Sequence, residues 1–180
     1  MPAYKKDMEQ QITQEQVKSM LDRCFDDEQK ALVSILWITG ARPAELIELT
    51  PVCFLPLDGA VQISIPTKKH GYARTLTIAN DTPFFINVLS YVNKCNTMDT
   101  RDKPIFHWRT DGCIRFLIYR LSDGKLTPYN FRHSRLTQLA KIGASPYELM
   151  VFKGARDTRS VAAYIGRSPH MIERLKDKIV

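Results

Sequence analysis

The sequence has few of the features that mark a secreted, membrane-embedded or metal-binding protein. Its 180 residues include only four cysteines, which lie far apart, and no two of them have the spacing of metal ligands. No apolar run approaches the roughly 18 residues of a membrane-spanning helix, and the polar N-terminus lacks the apolar segment of a signal peptide. We therefore expect a cytoplasmic protein with reduced cysteines, no membrane contact, no metal and no small-molecule cofactor.

Positive charge, in contrast, is abundant and unevenly distributed. The chain has 26 lysines and arginines against 19 aspartates and glutamates, which gives a formal net charge of +7. Residues 1–100 carry a net charge of −2, whereas residues 101–180 carry +9. A cationic half of this kind is typical of a protein that binds a polyanion such as nucleic acid. It also fits a solvated cationic surface, and the charge alone leaves both interpretations open.

Periodicity in the first half predicts helices followed by a small antiparallel sheet. The sequence from Thr13 to Gln16 is a capping box that opens a helix. Gly40 ends a second helix, and Pro43 suits the first position of a third. Two alternating stretches flank a polar turn at 68–72 and predict a β-hairpin. The predicted elements are helices over 13–25, 27–39 and from 43, and strands over 61–65 and 74–78.

The second half is predicted to be helical, so the fold class is mainly α with one small antiparallel sheet (α+β). Three pairs of a hydroxyl residue followed by proline, at 127–128, 145–146 and 168–169, are start signals for helices. Asp81 and Asp111 are the predicted N-caps of two further helices. Gly143, Gly154 and Gly166 are predicted helix ends. Alternating βαβ units are absent, which argues against a doubly wound nucleotide-binding fold.

Two candidate site residues lie in the first half. Arg42 follows Gly40 at a helix start, where free N–H groups already favour an anion. Glu45, one turn later, can hold the Arg42 guanidinium or a neighbouring N–H. Lys69 lies at the predicted hairpin turn, from which a lysine can donate a proton. Each residue also has a plain interpretation as a solvated surface side chain.

The other candidates lie in the cationic half. Tyr129 and Arg132 are three residues apart, which places them on the same helix face, and His133 follows directly. Tyr164 follows three small residues in a short segment. Arginine forks fit phosphate oxygens, and a tyrosine hydroxyl can act as a covalent nucleophile. Taken singly, a packed tyrosine and a surface arginine are equally acceptable interpretations.

Taken in order, these segments resemble the catalytic domain of the tyrosine recombinases, or phage-type integrases. Residues 39–46 read TGARPAEL and are similar to that family's T-G-x-R-x-x-E-L box. Residues 69–74 read KHGYAR and are similar to its K-x-G-x-x-R pattern. The resemblance implies that Arg42 is the first phosphate-binding arginine. It also selects Lys69 over Lys68 as the catalytic lysine.

The remaining two boxes depart from the family pattern. Residues 129–133 read YNFRH where the family usually has H-x-x-R-H, so Arg132 maps to the second arginine and Tyr129 replaces a histidine. Some archaeal viral integrases are similar in this departure. The family's G-H pair is Gly154-Ala155 here, and Tyr164 keeps the usual spacing of nine residues. Lys153 or Arg156 is a candidate for the missing donor at Ala155.

The resemblance implies a mechanism for cutting and rejoining double-stranded DNA. Arg42 and Arg132 would clamp the scissile phosphate, and Tyr164 would attack it to form a 3′-phosphotyrosyl intermediate. Lys69 would protonate the leaving 5′ oxygen, and Tyr129 would hydrogen-bond a phosphate oxygen. We expect the two guanidiniums that hold the phosphate to favour phenolate character of Tyr164 in the transition state.

The resemblance also implies a domain organisation and partners. We expect a flexible lead over 1–12, a catalytic domain over 13–166 and a helical tail over 167–180, without the family's N-terminal DNA-clamping domain. The expected protein is an integrase of archaeal viral type that acts in the host cytoplasm or nucleoid, with other protomers on DNA in a tetrameric synapse. Two alternatives are a DNA-binding module of this fold that has lost cleavage and a type IB topoisomerase-like enzyme.

Overall fold

A computed structural model describes residues 11–67 and 73–165 of the chain. The predicted lead (apart from residues 11 and 12), the hairpin turn with Lys69, and the predicted tail lie outside these residues. The described helices are α1 (Gln14–Asp22), α2 (Asp27–Thr39), α3 (Pro43–Leu46), α4 (Phe85–Cys95), α5 (Asp111–Leu121), α6 (Pro128–Lys141), α7 (Pro146–Lys153) and α8 (Ala162–Ile165). The strands are β1 (Phe54–Leu57), β2 (Ala60–Ile65) and β3 (Arg74–Ala79), and 3-10 turns span Pro51–Cys53 and Thr158–Val161. The predicted mainly helical α+β class is confirmed.

Helix α2 is the centre of the fold. Every residue from Ala31 to Thr39 is buried, and the helix packs against α1, α4 and α6. Asp26 caps its first turn by accepting from the Gln29 N–H at 2.8 Å. Gly40 ends it in the left-handed conformation with φ 56°, which glycine adopts without steric cost. Both predicted ends of this helix are therefore confirmed.

The sheet has three antiparallel strands in the order β1-β2-β3, one more than the sequence predicts. The predicted hairpin is confirmed, with Val61 opposite Ile78 and Ile65 opposite Arg74. Strand β1 pairs with β2 across a turn at 58–59, where Gly59 has φ 67°. The Asp-Gly pair at 58–59 is a strong hairpin signal. Strand β1 was nevertheless not predicted, because it contains Pro56 and its sequence does not alternate between apolar and polar residues.

Several predicted helix boundaries are wrong. Helix α1 ends at Asp22 instead of near Phe25, because Asp26 caps the next helix and the residues between must connect the two. Asp81 does not cap α4, whose N-cap is Phe84 with φ 67°. Thr110, and not Asp111, holds the N-cap position of α5. The predicted caps at Thr127 and Ser145 are confirmed as capping boxes. Thr127 pairs with Asn130, and Ser145 pairs with Glu148.

A second, smaller core lies beneath the C-terminal part of the described chain. Leu136 and Ala140 of α6 pack there with Leu149 of α7 and Val161, and Tyr164 packs against this cluster. The cluster holds α7 and α8 against α6, the helix that carries Arg132. The fold thereby brings the last described segment to the same side of the molecule as the end of α2.

Candidate active site

The segment between α2 and α3 presents Arg42 at the mouth of a cavity. Thr39 accepts a hydrogen bond from the Ala41 N–H at 3.1 Å, and Gly40 turns the chain so that Pro43 begins α3. Arg42 then lines a cavity of about 270 Å³ together with Glu45 and Tyr129. The first turns of α5 and α6 also reach this cavity, and helix N-termini favour anions.

The Glu45 carboxylate holds Arg42 by both its backbone and its side chain. The Arg42 N–H donates to Oε2 at 2.9 Å, and Arg42 Nη1 donates to Oε1 at 2.6 Å. Arg74 Nη2 donates to Oε2 as well, at 3.0 Å. Burial raises the pKa of Glu45, but the charge and hydrogen bond of Arg74, with the hydrogen bonds of Arg42, outweigh burial and hold this pKa below its ordinary value.

Arg132 is a buried residue of α6, so its interpretation as a surface arginine is wrong. Only 5% of the residue is exposed. Its Nη1 donates to the carbonyl oxygen of Gly40 at 2.8 Å, and its Nη2 donates to that of Lys153. These carbonyls lie at the C-terminal ends of α2 and α7, where the helix dipole favours a cation. Burial, together with the charges of Arg42 and Arg74, lowers the pKa of Arg132 to about 10, so the guanidinium stays charged at neutral pH.

Tyr164 lies in α8 beside His133 and Lys153. The Tyr164 and His133 rings are tilted, with centroids 5.3 Å apart, and Lys153 Nζ lies 5.9 Å from the Tyr164 centroid. Burial raises the pKa of the Tyr164 phenol, and the opposing charge of Arg132 does not cancel this effect. Desolvation is therefore the larger of the two influences on the resting phenol, and the expected phenolate character in the transition state stays a prediction.

Lys153 connects Arg132 to the segment that carries Tyr164. Its carbonyl accepts from Arg132, and its Nζ donates to the carbonyl of Ser160, four residues before Tyr164. Burial and the charges of Arg132 and Arg42 lower the pKa of Lys153. Arg156 lies on an exposed bend after α7.

The structure thus brings most of the sequence-predicted residues into one charged cluster. Arg42, Glu45 and Tyr129 line the cavity, Arg132 contacts the carbonyls of Gly40 and Lys153, and Tyr164 lies beside His133 and Lys153. Lys69 is outside the described residues, although Thr67 lines the cavity. Two arginines of this cluster were given no role by the sequence, Arg74 and Arg115. The first belongs to the K-x-G-x-x-R pattern; the second follows Asp111 by one helical turn and shares the cavity with it.

The described residues contain neither a metal-binding cluster nor a membrane-spanning helix. Across 11–67 and 73–165, no three histidine, cysteine, aspartate or glutamate side chains are grouped so that they could hold a metal ion. Within the same ranges, no helix has the length and apolar character needed to cross a membrane.

Comparison with solved structures identifies the fold. XerA recombinase superposes with a TM-score of 0.71 at 19% identity, covering 94% of this chain and 64% of that one. XerH site-specific recombinase bound to difH substrate gives 0.72 at 14% identity, covering 92% and 53%. Tn1549 transposon integrase in complex with transposon right end DNA gives 0.67 at 17% identity, covering 94% and 65%. The chain therefore spans less than two thirds of each of these proteins.

The sequence itself gives the family. No curated protein matches the chain. Residues 10–170, however, match the phage integrase family, a range that includes all of the candidate site residues. The chain therefore belongs to the phage integrase family.

Proposed function

We propose that this chain cleaves and rejoins double-stranded DNA in site-specific recombination, through a 3′-phosphotyrosyl intermediate. The observation that carries the proposal is that Tyr164 lies close enough to Arg132 for the arginine charge to act on the phenol. Besides burial, the charges of Arg42 and Arg74 act in turn on Arg132 and lower its pKa. A phenol next to paired guanidiniums suits nucleophilic attack on a phosphodiester. The solved structures of XerH on difH and of Tn1549 integrase on transposon DNA, which share the fold, support DNA as the substrate.

The proposed cleavage step transfers the phosphoryl group from the 5′ oxygen of the DNA to the Tyr164 oxygen. The Tyr164 hydroxyl passes its proton to His133 as its oxygen attacks phosphorus, the bond from phosphorus to the 5′ oxygen breaks, and the 5′ oxygen takes a proton from Lys69. Arg42 and Arg132 stabilise the charge on the phosphate oxygens, and Tyr129 donates a hydrogen bond to one of them. Attack by the freed 5′ hydroxyl of the recombination partner reverses the step and rejoins the strand. This strand transfer needs neither a metal nor a cofactor.

Three side chains are proposed to assist. His133 stands beside the Tyr164 ring and can accept the phenolic proton as a general base. The Lys153 ammonium lies over the same ring. It would replace the donor that the family usually has at position 155, a histidine or tryptophan, where this chain has Ala155. Arg156 would contact the DNA backbone. The same proposal includes four further points. They are an archaeal viral origin, a synapse of several protomers, the domain boundaries given above, and action in the host cytoplasm or nucleoid.

The decisive experiment is covalent capture of DNA. Nicked suicide duplexes with a randomised central stretch release the cleaved end, so the phosphotyrosyl adduct cannot reverse and its DNA can be sequenced. We expect an adduct that survives denaturing gel electrophoresis and maps to Tyr164. Tyr164→Phe keeps the ring and its packing but removes the hydroxyl, so it should bind DNA as the parent does and form no adduct.

Tyr147 provides the matched control. It lies in the first turn of α7 and is 67% exposed, so Tyr147→Phe should leave adduct formation unchanged. An adduct at Tyr147, or normal adduct formation by Tyr164→Phe, would overturn the assignment. DNA binding without any adduct from the parent would favour the cleavage-deficient binding module. Relaxation of supercoiled DNA without site preference would favour the topoisomerase-like enzyme.

A further inference from the structure

Arg74 points into the protein even though its side chain is charged. Alternation along β3 places residues 74, 76 and 78 on the inward face of the sheet, and the Arg74 side chain is only 2% exposed. A guanidinium buried to this extent needs a partner that replaces its lost hydration. Glu45, itself 2% exposed, is that partner, at 3.0 Å from Oε2 to Nη2.

The same carboxylate also holds Arg42. Glu45 Oε1 accepts from Arg42 Nη1, and Oε2 accepts from both the Arg42 N–H and Arg74. The side chain of Arg42 remains 35% exposed and faces the cavity. Glu45 therefore lies between an arginine that can reach a ligand and an arginine that cannot.

Two guanidiniums on one carboxylate leave a net positive charge. Among the described residues, Nε and Nη1 of Arg74 have no hydrogen-bond partner, and unpaired buried donors reduce stability. Arg74 is thus poorly explained as a stabilising residue alone. Its charge extends as far as Arg132, so it belongs to the electrostatic field of the phosphate-binding residues.

We propose that Arg74 is a positioning residue for strand cleavage. By holding Glu45, it fixes the Arg42 guanidinium toward the cavity and leaves the cluster of Arg42, Glu45 and Arg74 with a net positive charge. Without Arg74, Glu45 and Arg42 form a one-to-one ion pair, and less of the Arg42 charge acts on the phosphate. This inference rests on the proposed DNA cleavage, and it concerns a residue that is too buried to touch the DNA.

A pH effect separates this role from simple packing. Among the described residues, the charged groups that face Glu45 or share its cavity are Arg42 at the N-cap of its own helix, Arg74 from β3, Arg132 from α6, and Asp111 and Arg115 from α5. Removing Arg74 raises the pKa of Glu45, since burial then has less opposition. Protonation of Glu45 at mildly acidic pH would release Arg42, so the acid limb of the cleavage profile should move to higher pH.

The test uses single-turnover adduct formation on the suicide duplexes captured by the parent. Arg74→Met should lower the maximal rate about tenfold or more, as expected when a supporting residue of a site is lost. The DNA concentration at half-maximal rate should stay the same, and the acid limb should shift upward. Arg74→Lys should recover part of the rate. In a Glu45→Gln background, Arg74→Met should add little, because the two residues act through one interaction.

Ile78→Ala is the matched control, because Ile78 is buried on the same face of β3. It should lower stability without moving the pH profile. If the parent forms the adduct and Arg74→Met keeps its rate and pH profile, the inference is wrong while the proposed function stands. If the parent forms no adduct on any duplex, the proposed function fails and the inference with it. Should Arg74→Met not fold, Arg74→Gln replaces it as the neutral variant, and a parental rate with an unshifted pH profile in Arg74→Gln would be the contradicting result.

Discussion

The Arg132 side chain has two roles, one electrostatic and one structural. As a charge it acts toward the cavity and Tyr164, and as a donor it joins the carbonyls of Gly40 and Lys153. These two carbonyls belong to helices that are far apart in the sequence. The arginine therefore fixes the geometry of the site as well as its potential, whereas Arg42 is half-buried and is itself held by Glu45.

Replacing the two arginines should separate these tasks. Arg132→Met leaves the buried carbonyl of Gly40 and the partly buried carbonyl of Lys153 without this donor, at up to about 1–3 kcal/mol for each, so we expect a clear loss in the free energy of unfolding. Arg42→Met should cost less, because Arg74 still pairs with Glu45. Both changes should reduce adduct formation on the order of 10²-fold or more, as for other transition-state donors. Urea unfolding and the capture assay measure the two effects. Equal stability of the two variants would contradict the carbonyl contacts.

At the scale of elements, the junction between α2 and α6 depends on a close approach at Gly40. A Cβ built on Gly40 would lie 3.3 Å from the Cα of Arg132 and 3.5 Å from the Cβ of Arg135. Gly40 also has a positive φ, which side chains rarely adopt. The glycine thus lets α6 approach the end of α2 closely enough for Arg132 to reach the Gly40 carbonyl.

Gly40→Ala should therefore impair both stability and cleavage. The backbone strain of an alanine with positive φ costs about 1–2 kcal/mol, and the contact with α6 adds to it. Gly59→Ala is the control, because Gly59 also has a positive φ of 67° but nothing lies within 4 Å of its added Cβ. Thermal unfolding and adduct formation should show a larger loss of stability for Gly40→Ala and normal cleavage for Gly59→Ala. Identical behaviour of the two variants would refute the importance of the close approach.

At the scale of the whole molecule, charge and fold are distributed differently. The sheet and α2 belong to the half with net charge −2, and α6 to α8 belong to the half with +9. The candidate site lies where these halves meet, with Arg42 and Glu45 from the first and Arg132 and Tyr164 from the second. A cationic surface beside this junction favours the approach of a polyanion from the side of α5 and α6.

DNA binding should consequently weaken steeply with salt. Counterion release makes the logarithm of affinity fall linearly with the logarithm of salt concentration. Exposed Arg115 lines the cavity, so Arg115→Gln should reduce the magnitude of this slope by about 1. Lys18→Gln, on an exposed position of α1 in the acidic half, should leave the slope unchanged. Fluorescence anisotropy with a labelled duplex measures both slopes. Affinity that does not depend on salt would contradict electrostatic binding.

Short-range signals along the chain were enough to predict many local features and the family. Caps such as Thr127 and Ser145, the end of α2 at Gly40 and the register of the hairpin depend on residues close together along the chain. The order and spacing of the boxes around Arg42 and Arg132 were enough to predict a phage-type integrase and its mainly helical fold. Local signals failed where tertiary contacts took over: Asp81 looked like a cap, but Phe84 holds that position.

The way in which the site residues share their partners depends on long-range packing, which local patterns do not reveal. Periodicity places Arg74 on an inward face, but it does not show that Glu45, 29 residues earlier, lies opposite. It places Arg132 on a helix, but not against the carbonyls at the ends of two other helices. These contacts join segments that are remote in the chain, and they form only when the packing of α2, α6 and α7 has fixed the distances. For that reason the sequence named the chemical groups, and the fold determined which of them act together.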